Sequence, residues 1–421
     1  MALKICFFED EKYNHFFPLT YLRPVFALRS GMVPLFQRVK RHFPQAEIIL
    51  CCRDQIAPVF AAYEKEYPIN IIKKSEEDFV LLNGRIRDYG DLPKLISEAK
   101  ISNVLKNSNE VVGVILKHED LERLPQMGEL SDYINLIDHS AEDIPEFHTT
   151  ATLYNYHWEL MADVEKELTA DFEFIPKSPV KDYDGVYFRN KENVIIDDDV
   201  DIQPSVVIDA SNGPIYIGSN TKIEANSALY GPLFIGPNGV ITPGKISSSS
   251  IGHTCRVGGE IEWTICQSYV NKYHTGFLGH SYVGSWVNIG AQTTNSDLKN
   301  NYGEIKVKLN GKAVQTGSNK IGSFVGDHTK FGIGMFLNTG IMIGPACNLF
   351  GACLLLDREI APFSWGYTGN YKTNQVEKVI ETAQVVASRR NVDFTEAEAE
   401  LLRQLAENNI VADGIFKLKN Y

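Results

Sequence analysis

The 421-residue chain has no apolar run reaching the ~18 residues needed to span a bilayer. Its first residues, MALKICFFEDEKYNHFF, place acids where a secretory signal needs a basic start and an unbroken apolar core. Basic charge is in deficit, with 41 Lys and Arg against 53 Asp and Glu and a net charge of −12. The broad basic face of a nucleic-acid binder is therefore not expected, although a local basic pocket for a phosphorylated small molecule is still open. Metal-ligand spacing is absent from the 7 cysteines (Cys6, Cys51, Cys52, Cys255, Cys266, Cys347 and Cys353). Their number is odd and most sit in apolar segments, as expected of reduced core thiols in a cytoplasmic protein. A hydrophobic share of 44% with 22% charged residues excludes a wholly disordered chain. At about 150 residues per domain, two or three domains are expected.

What is present is a repeat. Ile217, Ile223, Leu229, Ile235 and Ile241 are spaced by six, and so are Val325, Phe331, Leu337, Ile343, Leu349 and Leu355. Gly follows many anchors, as in Ile217-Gly218, Ile235-Gly236, Ile251-Gly252, Val283-Gly284 and Ile343-Gly344. A helix needs a period of about 3.6 and a simple strand a period of about 2, so neither fits. A parallel β-helix does. Each hexapeptide makes one flat side of a prism, the aliphatic residue points inward, and a small or polar residue takes the corner. Each coil covers the apolar face of its neighbour. The phase breaks between Asn295 and Ile321 in a polar, Gly-containing stretch, which should leave the prism as a long loop, functional or disordered.

The first 180 or so residues follow another pattern. Lys4–Phe8, Ile48–Cys52, Ile69–Ile72, Phe79–Leu82 and Val111–Leu116 read as strands. Met32–His42 and Leu92–Leu105 read as helices between them. The alternation predicts a parallel α/β sheet with helices on both faces, whose ligands bind beyond the C-terminal strand ends. After Trp365-Gly366 the hexapeptides stop. Val376, Val379, Ile380, Ala383 and Val386 keep helical spacing, and Thr395-Glu396-Ala397-Glu398 is a capping box opening a second helix with Leu401, Leu402 and Leu405 on its apolar face.

The segment following the first strand, with Pro18-Leu19-Thr20, Arg23-Pro24 and Arg29, resembles the opening of sugar-phosphate nucleotidyltransferases. PLTYLRPVFALRSG, LLNGR and Trp158-Glu159-Leu160 further resemble a variant family, known chiefly from bacteria: the UDP-N-acetylglucosamine pyrophosphorylase/glucosamine-1-phosphate acetyltransferase-like proteins. The hexapeptides resemble left-handed β-helix acyltransferases, and the hand is implied by that resemblance. The implied organisation is an α/β nucleotidyltransferase-like domain over 1–185, a left-handed parallel β-helix over 186–365 and a helical tail over 366–421. By resemblance, Thr20, Arg23, Arg29 and Asn83 bind the nucleotide, with Mg²⁺ neutralising its phosphates; the metal ligands are not assigned. Two departures stand out. No Gly precedes Gly31, although a loop hugging phosphate needs glycine for close approach, and Arg85 stands where the family usually places a metal-binding Asp. Asp88 is a possible substitute.

Residues 258–303 carry the densest chemistry: Lys272, His274, His280, Asn288, Gln292, Asn300 and Asn301. Acetylating an amine needs a base, which histidine supplies with an ordinary pKa of ~6.5. It also needs a cation for the sugar phosphate and amides to orient hydroxyls and thioester. The run resembles the variant family's own, with Gly-Gly-Glu, Asn-Lys-x-His-x-Gly-Phe and Asp-Leu-Lys-Asn-x-Tyr-Gly. The resemblance implies His274 as general base, Lys272, Asn288 and Lys306 for the sugar phosphate, and Ala291, Asn301 and Tyr302 for acetyl-CoA. Phe277 replaces a Tyr of the better-known bifunctional enzyme, and Glu262 stands where that enzyme has a phosphate-binding Lys. His280 is expected as an exposed turn residue, and Cys266 and Cys347 as inward rungs. The expected function is sugar-phosphate nucleotidyltransferase and/or amino-sugar N-acetyltransferase, with a sugar-1-phosphate, a nucleoside triphosphate and acetyl-CoA as partners. The alternatives are a single active half or a trimeric scaffold without activity. Outward Tyr269, Tyr282 and Trp286 are costly to leave in water together, so a homotrimer is expected.

Overall fold

The computed structural model describes residues 3–71, 77–121, 144–177, 179–412 and 415–418. It divides into two compact units. One comprises Met1–His15, Leu22–Leu28 and Pro34–Tyr156; the other comprises Phe16–Tyr21, Arg29–Val33 and His157–Tyr421.

The first unit is built on β1 (Lys4–Phe8), β2 (Glu47–Cys51), β3 (Phe79–Asn83), β4 (Ile86–Asp88), β5 (Asn103–Asn107), β6 (Glu110–Leu116), β7 (Glu146–His148) and β8 (Thr152–Leu153). Its six-stranded sheet has the order β2-β1-β3-β6-β5-β7, and β4 pairs separately with β8. The strands over 4–8, 47–51, 79–83 and 110–116 lie within a residue of their expected places. The expected all-parallel sheet is corrected. β1 runs parallel to β2 and β3, but β6 is antiparallel to β3 and to β5. A tight turn with Ser108 at φ 55° joins β5 to β6 as a hairpin, and a hairpin forces antiparallel pairing. The helix expected over 92–105 covers only Leu92–Glu98, because Val104 and Leu105 complete the sheet instead. The stretch after Pro34 is a 3-10 helix, Leu35–Arg41. Ile69 makes only an isolated bridge to Leu50, and Ile72 lies outside the described residues.

The second unit is a β-solenoid of about 10 turns. Every period-six anchor is an inward rung: Ile217, Ile223, Leu229, Ile235 and Ile241 are fully buried, and Val325, Phe331, Leu337, Ile343, Leu349 and Leu355 are buried beside them. Coils stack in parallel register, with Ile217 on Ile235 and Val325 on Ile343. Between Ile241 and Val283 the anchors lose their phase because the coils shorten: Ile251 lies on Cys266, only 15 residues later. Gly244 stacks on Gly259 at the tightened corner. Gly252 shows how close the coils run, because a Cβ there would lie 1.8 Å from the Gln267 carbonyl oxygen of the next coil. Gly252→Ala should therefore cost roughly 2–3 kcal/mol by overpacking, seen as a lower urea midpoint at unchanged slope.

The phase break at 295–321 is an ordered excursion. Leu298 bridges Lys320 at its base, and Lys306–Leu309 pairs with Lys312–Gln315 as a hairpin. Ile305, Val307 and Leu309 are buried, and the Gly311 N–H donates to Glu359 Oε2 at 3.0 Å, so the hairpin is fastened to later coils. Helices Val376–Ser388 and Glu396–Asn408 follow the solenoid, as expected. The capping box is made both ways: the Thr395 N–H donates to Glu398 Oε2 at 2.8 Å and the Glu398 N–H to Thr395 Oγ1 at 3.2 Å. Among the described residues no helix is long and apolar enough to cross a membrane.

Candidate active site

Of the expected acyl-transfer residues, His274, Asn288 and Ala291 lie on adjacent coils of the solenoid, and Asn301, Tyr302 and Lys306 lie on the excursion. His274 sits at a corner, with its side chain exposed and its ring edge-on to Tyr273 at 5.3 Å. The backbone beneath it is fixed from inside the prism. Thr242 Oγ1 donates to the Tyr273 carbonyl at 2.7 Å, and Lys272 Nζ donates to the carbonyls of His274 at 2.8 Å and Gly258 at 2.9 Å. Lys272 thus corrects the expectation of a phosphate ligand. It occupies the inward rung between Val257 and the next coil, is 1% exposed, and has its ammonium directed at carbonyls. Burial without a carboxylate partner pushes its pKa down to about 8.

One coil on, Asn288 is half-buried and its Oδ1 accepts from Asn271 Nδ2 at 2.7 Å. Ala291 follows at the corner, and its carbonyl accepts the Gly334 N–H at 2.8 Å. Asn301 and Tyr302 stand exposed on the excursion, where Asn301 Oδ1 caps the Gly303 N–H at 3.0 Å. The Lys306 side chain is exposed, while its carbonyl is held by Arg358 Nη1 at 2.8 Å. Cys266 and Cys347 are inward rungs, and burial raises both thiols, that of Cys347 to about 12. His280 is not the exposed turn residue expected. It is 6% exposed, and its Nδ1 lies 2.7 Å from Asp297 Oδ2. The missed signal was spacing: Glu262, His280 and Asp297 are each about one coil apart.

The aromatic residues expected to face water are covered within the chain. Tyr282 is 1% exposed, its hydroxyl donating to Gln267 Oε1 and accepting the Arg29 N–H at 2.9 Å. Trp286 is stacked between Tyr269 at 3.9 Å and His328 at 6.4 Å. These residues therefore no longer argue for a trimer.

The expected nucleotide residues are divided between the units: Arg23 and Asn83 belong to the first, Thr20 and Arg29 to the second. Arg29 is buried, with its guanidinium over the Phe234 ring and Nη1 donating to the Met32 carbonyl at 2.9 Å, so it faces inward rather than toward a ligand. Thr20 is fully buried and Arg23 half-buried, its carbonyl accepting from Arg53 Nη2 at 3.1 Å.

In the first unit the end of β3 is filled by an ionic network. Arg85, 1% exposed, grips Asp10 through Nε at 2.8 Å and Nη2 at 2.5 Å, and reaches Glu110 at 3.0 Å and the Tyr154 carbonyl at 2.5 Å. Lys12 Nζ adds a 2.6 Å contact to Glu110, and Asn83 Nδ2 a 2.8 Å bond to Asp10. Glu9 is spent on the Val25 N–H at 2.8 Å and Arg53 Nε at 3.1 Å. Asp88 is exposed and turned onto the Gly90 N–H. The Mg²⁺ expected here does not fit: a buried guanidinium holds the carboxylates that would ligate it.

Residues 5–179 match the sugar nucleotidyl transferase family. Over 385 residues the chain is 27% identical to the bifunctional sugar-1-phosphate nucleotidylyltransferase/acetyltransferase of Sulfurisphaera tokodaii, a match covering 79% of this chain and 92% of that protein. It is 30% identical over 137 residues to the bifunctional protein GlmU of Methanococcus vannielii, covering 32% of this chain and 31% of that one. With the GlmU of Rippkaea orientalis the identity is 27% over 175 residues, covering 35% and 38%. The chain therefore carries a sugar nucleotidyl transferase domain over residues 5–179, and it is similar to bifunctional nucleotidylyltransferase/acetyltransferases, proteins named as transferases.

Proposed function

We propose that the solenoid transfers an acetyl group from acetyl-CoA to the amino group of a sugar phosphate, and that the N-terminal domain joins a sugar-1-phosphate to a nucleotide, both on substrates of the cytoplasm. The similarity to the S. tokodaii protein carries this reading, because a single 385-residue alignment runs through both halves. On this reading His274 takes a proton from the amine as its nitrogen attacks the thioester carbonyl. The C–N bond forms, the C–S bond breaks, and the proton passes to the departing CoA sulfur. Asn288 and Lys306 hold the sugar phosphate, and Ala291, Asn301 and Tyr302 contact acetyl-CoA. Lys272 serves from inside the prism by holding the His274 carbonyl. In the nucleotidyl half Arg23 faces the triphosphate.

The test is two assays on the full chain. Acetyl-CoA with a panel of amino-sugar phosphates should release free thiol, and nucleoside triphosphates with sugar-1-phosphates should release pyrophosphate. Thiol without pyrophosphate would confine catalysis to the solenoid; neither product across the panel would leave a scaffold.

We also propose a homotrimer, on a different surface from the one first expected. Phe336 and Leu354 stack in register on one outer face, where both are exposed. Sedimentation velocity at micromolar concentration should show a trimer for the wild type, and Phe336→Glu should sediment as a monomer with an unchanged circular dichroism spectrum.

A further inference from the structure

We infer that Glu262, His280 and Asp297 form a site for one divalent transition-metal ion. The three residues come from successive coils, and one ligand atom from each lies within 4.8 Å of the others. Their backbones are fixed: the His280 N–H donates to the Glu262 carbonyl at 3.1 Å, the Gly322 N–H to the His280 carbonyl at 2.8 Å, and the Ile321 N–H to the Asp297 carbonyl at 2.9 Å. The imidazole is fixed as well, since Trp263 stacks on it at 5.6 Å with the rings 7° from parallel.

The polar atoms of the cluster are under-used. His280 has Asp297 as its side-chain partner, and the Glu262 carboxylate makes no hydrogen bond or ion pair among the described residues. Two carboxylates thus converge on one imidazole, with the field of Lys320 reaching Asp297. A divalent cation would cancel the two negative charges and take up the idle carboxylate. One nitrogen and two oxygens suit Zn²⁺, Mn²⁺ or Co²⁺ better than Ca²⁺, which takes about 6–8 oxygens. Three protein ligands leave a coordination position open to a water or a substrate oxygen.

An ion with an open coordination position there would polarise a bound oxygen, such as one of an anionic sugar. This role rests on the acyl-transfer reading, but the site itself does not.

The probe is Co²⁺ added to chelator-stripped full-length protein. The expected result is one Co²⁺ per chain with visible d–d absorption, a change in tryptophan fluorescence as the imidazole under Trp263 becomes a ligand, and displacement by Zn²⁺. Glu262→Gln, His280→Gln and Asp297→Asn should each weaken binding at least tenfold, about the lower bound for disturbing a metal site's support. Glu262→Gln removes a carboxylate that holds nothing in the fold, so it remains decisive if His280→Gln unfolds. No Co²⁺ bound at millimolar concentration, or binding untouched by Glu262→Gln, overturns the proposal. Intact Co²⁺ binding with no thiol release in the acetyl-CoA assay would sink the acyl-transfer reading and leave the site standing.

Discussion

His274→Asn should lower turnover for thiol release from acetyl-CoA by ~10²–10⁴-fold, the usual contribution of a positioned general base. An amide preserves hydrogen bonding but takes no proton at neutral pH, so the loss isolates the proton transfer. His274→Ala should match it. Stability should barely change, because the side chain is exposed and its ring contact is with the neighbouring Tyr273. The loss should fall on kcat and kcat/KM together, as for an interaction made only in the transition state. Lys272→Met should behave differently. It removes two hydrogen bonds from inside the prism, one of them to the His274 carbonyl. Full activity in His274→Asn would make the histidine structural and leave the 258–303 segment a binding surface.

The solenoid was legible in the sequence because its rule is steric and local: one aliphatic anchor per flat side, repeated until the chain leaves the prism. Where corners tighten, the same rule persists with a shorter coil, and fixed-period reading fails. Lys272 shows the cost. Counted in sixes it has no place; counted by coil register it lies on Val257, inside the prism. A lysine two residues from an exposed histidine reads as surface chemistry, and nothing local says that its stem runs inward. His280 was misplaced for a related reason. It occupies a corner at φ 47°, a position that usually turns outward, but Trp263 stacks on its ring and the Gly322 N–H of the returning excursion holds its carbonyl. In the first unit the strands were legible as apolar runs. Their directions were not, because direction is set by the connections, and the short Asn107-Ser108-Asn109 turn was the one cue to a hairpin. Arg85 was recognised as a departure, but its partners Asp10 and Glu110 are distant in sequence.

Arg85→Met should destabilise the protein by about 3 kcal/mol, near the low end for breaking a buried ion pair. The low end applies because Asp10 and Glu110 keep 26% and 31% side-chain exposure and can partly rehydrate, whereas Arg85 has 1%. Burial pushes the Asp10 carboxyl up, but the Arg85 guanidinium and the Asn83 amide outweigh it and hold its pKa below the ordinary value. Burial likewise raises Glu110, and Lys12 and Arg85 more than reverse it. Both folded-state pKa values therefore lie below the unfolded ones. The stability they contribute is fully present above the ordinary carboxylate range and is lost as pH falls through the lowered folded values. Urea titrations of the wild type at pH 7 and below pH ~4 should show that loss. In Arg85→Met the carboxyls are held down less, with only Lys12 and Asn83 remaining on them, so stability should start lower at neutral pH and fall less on acidification. Equal pH slopes in the two proteins would mean that the network at the end of β3 contributes little to the fold, and would reopen that strand end to a metal ion.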